Sequence, residues 1–82
     1  MNQERAILKG RLSDLKMQKM EIETSISANV KACKALLAGF EYDSIRKFDL
    51  TAASVHLREA AAQKTKLMEV IGTIQKIEEE LA

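Results

Sequence analysis

The sequence predicts an all-α fold, an antiparallel two-helix hairpin of the coiled-coil type that dimerises into a four-helix bundle. Three observations predict it. The 82 residues include no Pro. Apolar residues recur at alternating steps of three and four along two long segments, and a short stretch containing all the aromatic residues separates these segments. Alternating steps of three and four place side chains on one helix face, so each segment is expected to bury one face.

The first helix is predicted over residues 2–38, and nine of the twelve positions of its stripe are apolar. The stripe consists of Met1, Arg5, Leu8, Leu12, Leu15, Lys19, Ile22, Ile26, Asn29, Cys33, Leu36 and Phe40. Lys19 and Asn29 interrupt it. Asn29 either fixes the register of the helices, as polar residues in a seam can, or lies at the edge of the stripe.

The second helix is predicted over residues 51–81. Its stripe consists of Ala53, Leu57, Ala60, Lys64, Leu67, Ile71, Ile74, Glu78 and Leu81, and Val70 and Ile77 broaden it near the C-terminus. A broad apolar face needs more than one neighbour, so we expect a homo-oligomer, with a dimer favoured. Its contacts are expected to involve Leu8, Leu12, Leu15, Ile22, Ile26, Leu67, Ile71, Ile74, Ile77 and Leu81.

Residues 39–50 are predicted to form the loop of a single domain that spans residues 1–82. Gly39 can end the first helix in the left-handed conformation, and Asp49 or Thr51 can cap the second. A reversal within this loop places Leu8 opposite Leu81, Leu15 opposite Ile74, and Asn29 opposite Ala60.

The loop is also the candidate site for a protein partner. Phe40, Tyr42, Ile45 and Phe48 lie within nine residues of one another. Such a cluster either caps the end of the bundle or forms an exposed tip of the kind that marks protein interfaces. The sequence leaves both interpretations open.

Composition argues against several other functions. The net charge is +1, which does not favour electrostatic binding of nucleic acid or of an anionic membrane. Cys33 is the only Cys and His56 the only His, so no metal site, cofactor site or catalytic residue is predicted, and the protein is not expected to be an enzyme. No apolar run reaches the ~18 residues of a membrane span. The polar N-terminus lacks the apolar core of a signal peptide, so a cytoplasmic location is expected.

A second hypothesis concerns the basic residues of the first helix, Lys9, Arg11, Lys16, Lys19, Lys31 and Lys34. A nucleic-acid-associated or regulatory protein would use such a row to neutralise phosphates. Acidic residues are interspersed with this row, and no aromatic side chain lies within it for stacking on bases. A solvated helix face is therefore the favoured interpretation.

Two segments carry a resemblance to a known group. The loop and the start of the second helix read FEYDSIRKFDLTAA, with a spacing of Ile45, then Phe48-Asp49-Leu50, then Ala52-Ala53, and the second helix ends in IQKIEEELA. In this pattern the chain resembles small uncharacterised helical-hairpin proteins encoded by Mu-like prophages. The resemblance spans most of the chain and implies no known activity. It implies an accessory protein in a bacterial cytoplasm.

Overall fold

The structure, a computed structural model that describes residues 2–82, confirms the all-α hairpin. Helix α1 spans Asn2–Leu36 and helix α2 spans Leu50–Leu81, with a single 3-10 turn at Ile45–Lys47 between them. The two helices pack along their length into a rod of 65 × 16 × 14 Å, and the described residues include no strand. Met1, which was assigned to the first stripe and to the 1–82 domain, lies outside the described residues.

The helix ends differ slightly from the predicted bounds of 2–38 and 51–81. Helix α1 ends at Leu36, and the chain then turns through residues 37–42. Gly39 adopts the expected left-handed conformation with φ +82, and its carbonyl accepts the backbone N–H groups of Tyr42 and Asp43 at 2.9 and 3.0 Å. Helix α2 begins one residue earlier than predicted because Asp49 is the cap: its Oδ1 accepts the N–H of Ala52 at 2.9 Å.

Gly10 and Gly39 test these backbone conformations, because Gly10 lies within a helix and Gly39 has the left-handed conformation. Gly10 lies in α1 and is exposed, and a Cβ there would meet nothing within 4 Å. Gly10→Ala is therefore expected to raise the free energy of unfolding by about 1 kcal/mol, the difference in helix propensity. Gly39→Ala is expected to lower it by about 1–2 kcal/mol, since the left-handed conformation strains any Cβ, and this Cβ would lie 2.9 Å from Asp43 Oδ2. Urea unfolding followed by circular dichroism measures both, and equal effects of the same sign would contradict the assigned conformations.

The stripe predicted on α1 is the face that packs against α2. Cys33 is buried, and the other stripe residues within the body of the helix are half-buried: Leu8, Leu12, Leu15, Lys19, Ile22, Ile26, Asn29 and Leu36. Arg5 is exposed at the start of the helix, and Phe40 lies in the turn beyond its end.

The stripe predicted on α2 is wrong at three of its nine positions. The residues that face α1 are buried or half-buried at steps of three and four: Ala53, His56, Ala60, Gln63, Leu67, Val70, Ile74, Ile77 and Leu81. The predicted members Leu57, Lys64 and Glu78 are exposed instead. Burying a charge costs far more than burying a hydrogen-bonded neutral group. The helix therefore turns Lys64 and Glu78 into water and accepts a histidine and a glutamine between the helices.

This packing bears on the ten residues expected to join copies of the chain. Ile74 and Ile77 are 6% and 4% exposed, so the hairpin itself already covers them. The other eight are half-buried, seven of them between the helices and Ile71 at the edge of the α2 face that is turned away from α1. In this conformation a second copy can reach only the outer edges of those eight side chains, and their role between copies stays a prediction.

Candidate functional site: a polar layer and an open apolar stripe

A layer of four polar side chains crosses the middle of the hairpin. The amide Nδ2 of Asn29 donates to Gln63 Oε1 at 3.1 Å and to the backbone carbonyl of Ser25 at 3.2 Å. His56 Nδ1 lies 2.8 Å from Asn29 Oδ1, and Gln63 Nε2 donates to the hydroxyl of Ser25. Asn29 therefore sits between His56 and Gln63, which flank Ala60 by about one turn on either side. This is the register that the sequence predicted.

The geometry of the layer fixes its donors and acceptors. The amide nitrogen of Asn29 faces two acceptor oxygens, so its amide oxygen faces His56. A carbonyl oxygen can only accept, so Nδ1 of His56 carries the hydrogen of this bond. All four residues are half-buried, and no buried side-chain nitrogen or oxygen in the described residues lacks a partner. Such a satisfied layer can hold two helices in one register, because a shift of one turn would leave its groups unpaired. The structure shows Asn29 paired between the helices, and its role in fixing their register stays a prediction.

Ser25 and Gln63 were not singled out in the sequence. Neither residue type is distinctive alone. Only their combination could have found them: in the predicted hairpin, Ser25, Asn29, His56 and Gln63 are neutral polar residues at about the same level, although Thr24, Ser27 and Thr65 share that level.

Helix α2 carries a second apolar stripe, turned away from α1. This open stripe, at steps of three and four, consists of Leu50, Ser54, Leu57, Ala61, Lys64, Met68 and Ile71. Ile71 is half-buried and the others are exposed, including Leu57 at 52% and Met68 at 57%. The residue Val55, 50% exposed, points to the other side of the helix, since two residues correspond to about 200° of rotation. There it borders a shallow groove with charged neighbours, Arg58, Glu59 and Lys66. The open stripe is thus the less charged of the two flanks of α2.

The open stripe borders the same side of the hairpin as a basic row on α1. Lys16 Nζ lies 3.9 Å from Glu78 Oε2, and Glu78 continues the open stripe beyond Ile71 at the same steps. Arg5 Nη2 donates to the carbonyl of Leu81 at 3.2 Å, where helix carbonyls have no partner within the helix and a positive charge is favourable. These contacts place Lys16 and Arg5 next to the C-terminal end of α2.

The loop residues predicted to bind a partner lie at the opposite end of the rod. The rings of Phe40 and Phe48 are 5.2 Å apart at 59°, a tilted arrangement that aromatic pairs favour. Phe48 is half-buried, whereas Phe40 and Ile45 are exposed and Tyr42 is 89% exposed. The ion pair of Lys47 with Asp43, at 3.6 Å, and the Ser44 hydroxyl that accepts the N–H of Arg46 hold the backbone of this tip. Phe48 lies against the hairpin while Tyr42 and Ile45 stand in solvent, so the loop combines features of both interpretations.

The six basic residues of the second hypothesis do not form one surface. Lys19 is half-buried between the helices, and Lys16 is paired with Glu78. Arg11 and Lys9 are separated by about 200° around the helix. This dispersion reduces the phosphate contacts that any one face of α1 could make.

Cys33 is 5% exposed and lies inside the hairpin, as expected of a thiol that packs as a small apolar group. The described residues hold no group of three or more His, Cys, Asp or Glu side chains placed to bind a metal ion. Among the same residues, neither helix has the length and apolar character needed to cross a membrane. No protein-family model, curated protein or solved structure matches the chain.

Proposed function

We propose that the protein is a non-enzymatic structural or protein-interaction module, which self-associates through its helices and presents the aromatic loop to a protein partner. The observation that carries this proposal is the open stripe of α2, whose large apolar residues Leu50, Leu57 and Met68 are exposed in the single hairpin. A homodimer that covers the open stripe would form a four-helix bundle.

The exposed area of the hairpin supports the proposal. The chain exposes 6444 Å², whereas a compact monomer of 9.2 kDa exposes about 4,900 Å². The difference, roughly 1,500 Å², exceeds the ~800 Å² that each partner contributes to a stable interface. The hairpin core is also thin, because its buried residues are Cys33, Ala53, Ala60, Val70, Ile74 and Ile77. Small domains with so little core usually need a partner, a metal or a disulfide.

The loop is the proposed contact for a different protein. Tyr42, Ile45 and Phe40 present apolar and aromatic area at one end of a rod, and aromatic residues are enriched in interface cores. The resemblance to hairpin proteins of Mu-like prophages extends the proposal to an accessory role in a bacterial cytoplasm. Binding of nucleic acid by α1 remains the alternative, and affinity for DNA or RNA that collapses between low and moderate salt would favour it.

Sedimentation equilibrium over a wide range of concentrations tests self-association. The wild-type chain is expected to be a dimer. Leu57→Asp is expected to weaken the affinity of this dimer at least about tenfold. The substitution removes one large apolar contact from each copy and places a carboxylate in the interface. Val55→Asp is the matched control, since Val55 is nearly as exposed as Leu57 and lies on the same helix but faces away from the open stripe.

A wild-type chain that stays monomeric at all concentrations would contradict the proposal. Equal weakening by Leu57→Asp and Val55→Asp would contradict the assignment of the interface to the open stripe. Helix content of both variants, measured by circular dichroism, is expected to match that of the wild type.

A further inference from the structure

We infer that the occupant of the open stripe is a second copy of this chain, docked so that both loops lie at the same end of the bundle. The inference rests on the proposed self-association and adds its geometry. Two hairpins that stack on this side can be related by a two-fold axis parallel to the helices, which places α1 of each copy against α2 of the other. The alternative axis is perpendicular to the helices. It places α1 against α1, α2 against α2, and the loops at opposite ends.

Charge on the side of α1 that borders the open stripe decides between the two arrangements. The exposed charged residues on this side are Arg5, Lys9, Lys16, Glu23 and Lys34, and Glu23 is the only acid among them. Stacking α1 against α1 would therefore oppose two rows that are both strongly basic, and like charges across an interface are unfavourable.

The C-terminal end of α2 offers the complementary charge. In the same-end arrangement every residue keeps its level along the rod, because rotation about an axis parallel to the helices does not move it along that axis. Arg5 contacts the carbonyl of Leu81 within its own chain, so the basic start of α1 is level with Glu78 of the second copy. Glu78 lies on the open-stripe side of α2, so this carboxylate faces the basic start of α1 in each of the two equivalent contacts of the dimer.

A second complementary pair lies at the middle of the rod. Glu23 is the one acid on its side of α1, and Lys64 is the one base of the open stripe. Gln63 Nε2 donates to the Ser25 hydroxyl, so Lys64, which adjoins Gln63, is within about half a turn of the level of Glu23. In the same-end arrangement, Glu23 of each copy therefore faces Lys64 of the other. The single acid on this side of α1 thus faces the single base of the open stripe in the other copy.

This arrangement has a consequence for the loops. The two Phe40–Phe48 pairs, with the exposed Tyr42 and Ile45 of each copy, lie side by side at one end of the bundle. The partner surface proposed above is then a single symmetric aromatic end rather than two separate tips about 65 Å apart.

Distances between spin labels distinguish the arrangements directly. Tyr42→Cys, in a Cys33→Ala chain that has no other thiol, carries a label at the loop. The label-to-label distance in the dimer is expected to be below about 30 Å, because neighbouring helix axes lie about 10 Å apart. A label at Gln3→Cys, at the open end, is expected to give a similarly short distance. Loops at opposite ends would instead give distances approaching the 65 Å length of the rod for both labels.

A charge exchange tests the pairing of Glu23 with Lys64 between copies. Glu23→Lys alone and Lys64→Glu alone are each expected to weaken the homodimer roughly tenfold, since two attractive pairs become repulsive. A mixture of the two variants is expected to form a heterodimer of near wild-type affinity, because both pairs between position 23 of one chain and position 64 of the other are then of opposite charge. Pairs within one chain are repulsive in both variants and stay so in the mixture. Recovery on mixing therefore reports contacts between chains alone.

The outcomes separate this inference from the proposal on which it rests. A wild-type chain that sediments as a monomer overturns both. A dimer with long distances for both labels, or a mixture that does not recover affinity, overturns the same-end arrangement and leaves self-association standing.

Discussion

Replacing Ile74 by aspartate is expected to unfold the hairpin at 25 °C. Ile74 is 6% exposed and lies in the α2 face that packs against α1. Removing such a side chain costs about 2–5 kcal/mol, and placing a carboxylate there adds the cost of burying a charge without a partner. The whole domain is expected to have only about 4–12 kcal/mol of stability at 0.05–0.15 kcal/mol per residue. Loss of the helical signal at 222 nm, together with a urea midpoint near zero, would be the measured result.

Gln75→Asp is the matched control for Ile74→Asp. It introduces the same charge at the neighbouring position of α2, at nearly the same distance from the C-terminus, but Gln75 is exposed. Its effect is expected to stay within about 0.5 kcal/mol. An Ile74→Asp chain that kept the wild-type urea midpoint would show that this end of the hairpin contributes little to folding. Because the hairpin already buries Ile74, surface residues such as Leu57 are the appropriate probes of contacts between copies.

The hairpin and its register could be predicted because large apolar residues mark one face of α1 without ambiguity. Leu8, Leu15 and Ile22 recur at seven-residue intervals, and no other stripe of that helix competes with theirs. Gly39 and Asp49 then mark the two ends of the loop through well-understood backbone chemistry, a left-handed turn and a side-chain cap. The apolar face of α1 and the two ends of the loop together determine where the chain reverses its direction.

The face of α2 could not be predicted in the same way because two stripes compete. Leu57 and Ile71 mark one, and Val70 and Ile77 mark the other. Apolar content alone does not separate them. The difference lies in their polar members: Lys64 and Glu78 on the first are charged, whereas the second carries neutral groups that find partners on α1. Cross-helix hydrogen bonding of this kind depends on the assembled hairpin and leaves no trace in the periodicity of one helix.

The competing stripe is the surface on which the proposed function rests. The open stripe is apolar enough to compete with the face that packs against α1, yet it stays exposed in a single chain. These are the properties expected of a face that a second chain covers. The width of the apolar face of α2 was therefore informative even though its centre was misplaced by about 50° around the helix, half of one residue. The loop differs in kind, since whether Tyr42 and Ile45 bind a partner depends on chemistry outside this chain.

Disrupting the polar layer is expected to have the second large effect on stability. Asn29→Ala is expected to lower the free energy of unfolding by about 1–3 kcal/mol, because it leaves Gln63 Oε1 and His56 Nδ1 half-buried without their partner. In a double-mutant cycle, Asn29→Ala and Gln63→Ala are expected to couple by at least about 0.5 kcal/mol, as residues of one network do. The cycle of Asn29→Ala with Gln75→Ala serves as the control and is expected to be additive. Urea unfolding of the four variants in each cycle gives the coupling, and an additive result for Asn29 with Gln63 would contradict the bond between them.

Replacing the whole layer is expected to have the opposite effect on stability. A chain with Asn29→Leu, His56→Leu, Gln63→Leu and Ser25→Ala retains no polar group that needs a partner, and apolar replacements of buried polar sets are often neutral or stabilising. Its urea midpoint is expected to equal or exceed that of the wild type. In this variant a shift of the helices by one turn no longer leaves polar groups unpaired, because leucine packs against leucine in more than one register. A second set of amide resonances in its NMR spectrum would report that shift. A single set with wild-type contacts between the helices would instead mean that the loop alone, through Gly39 and Asp49, determines the register.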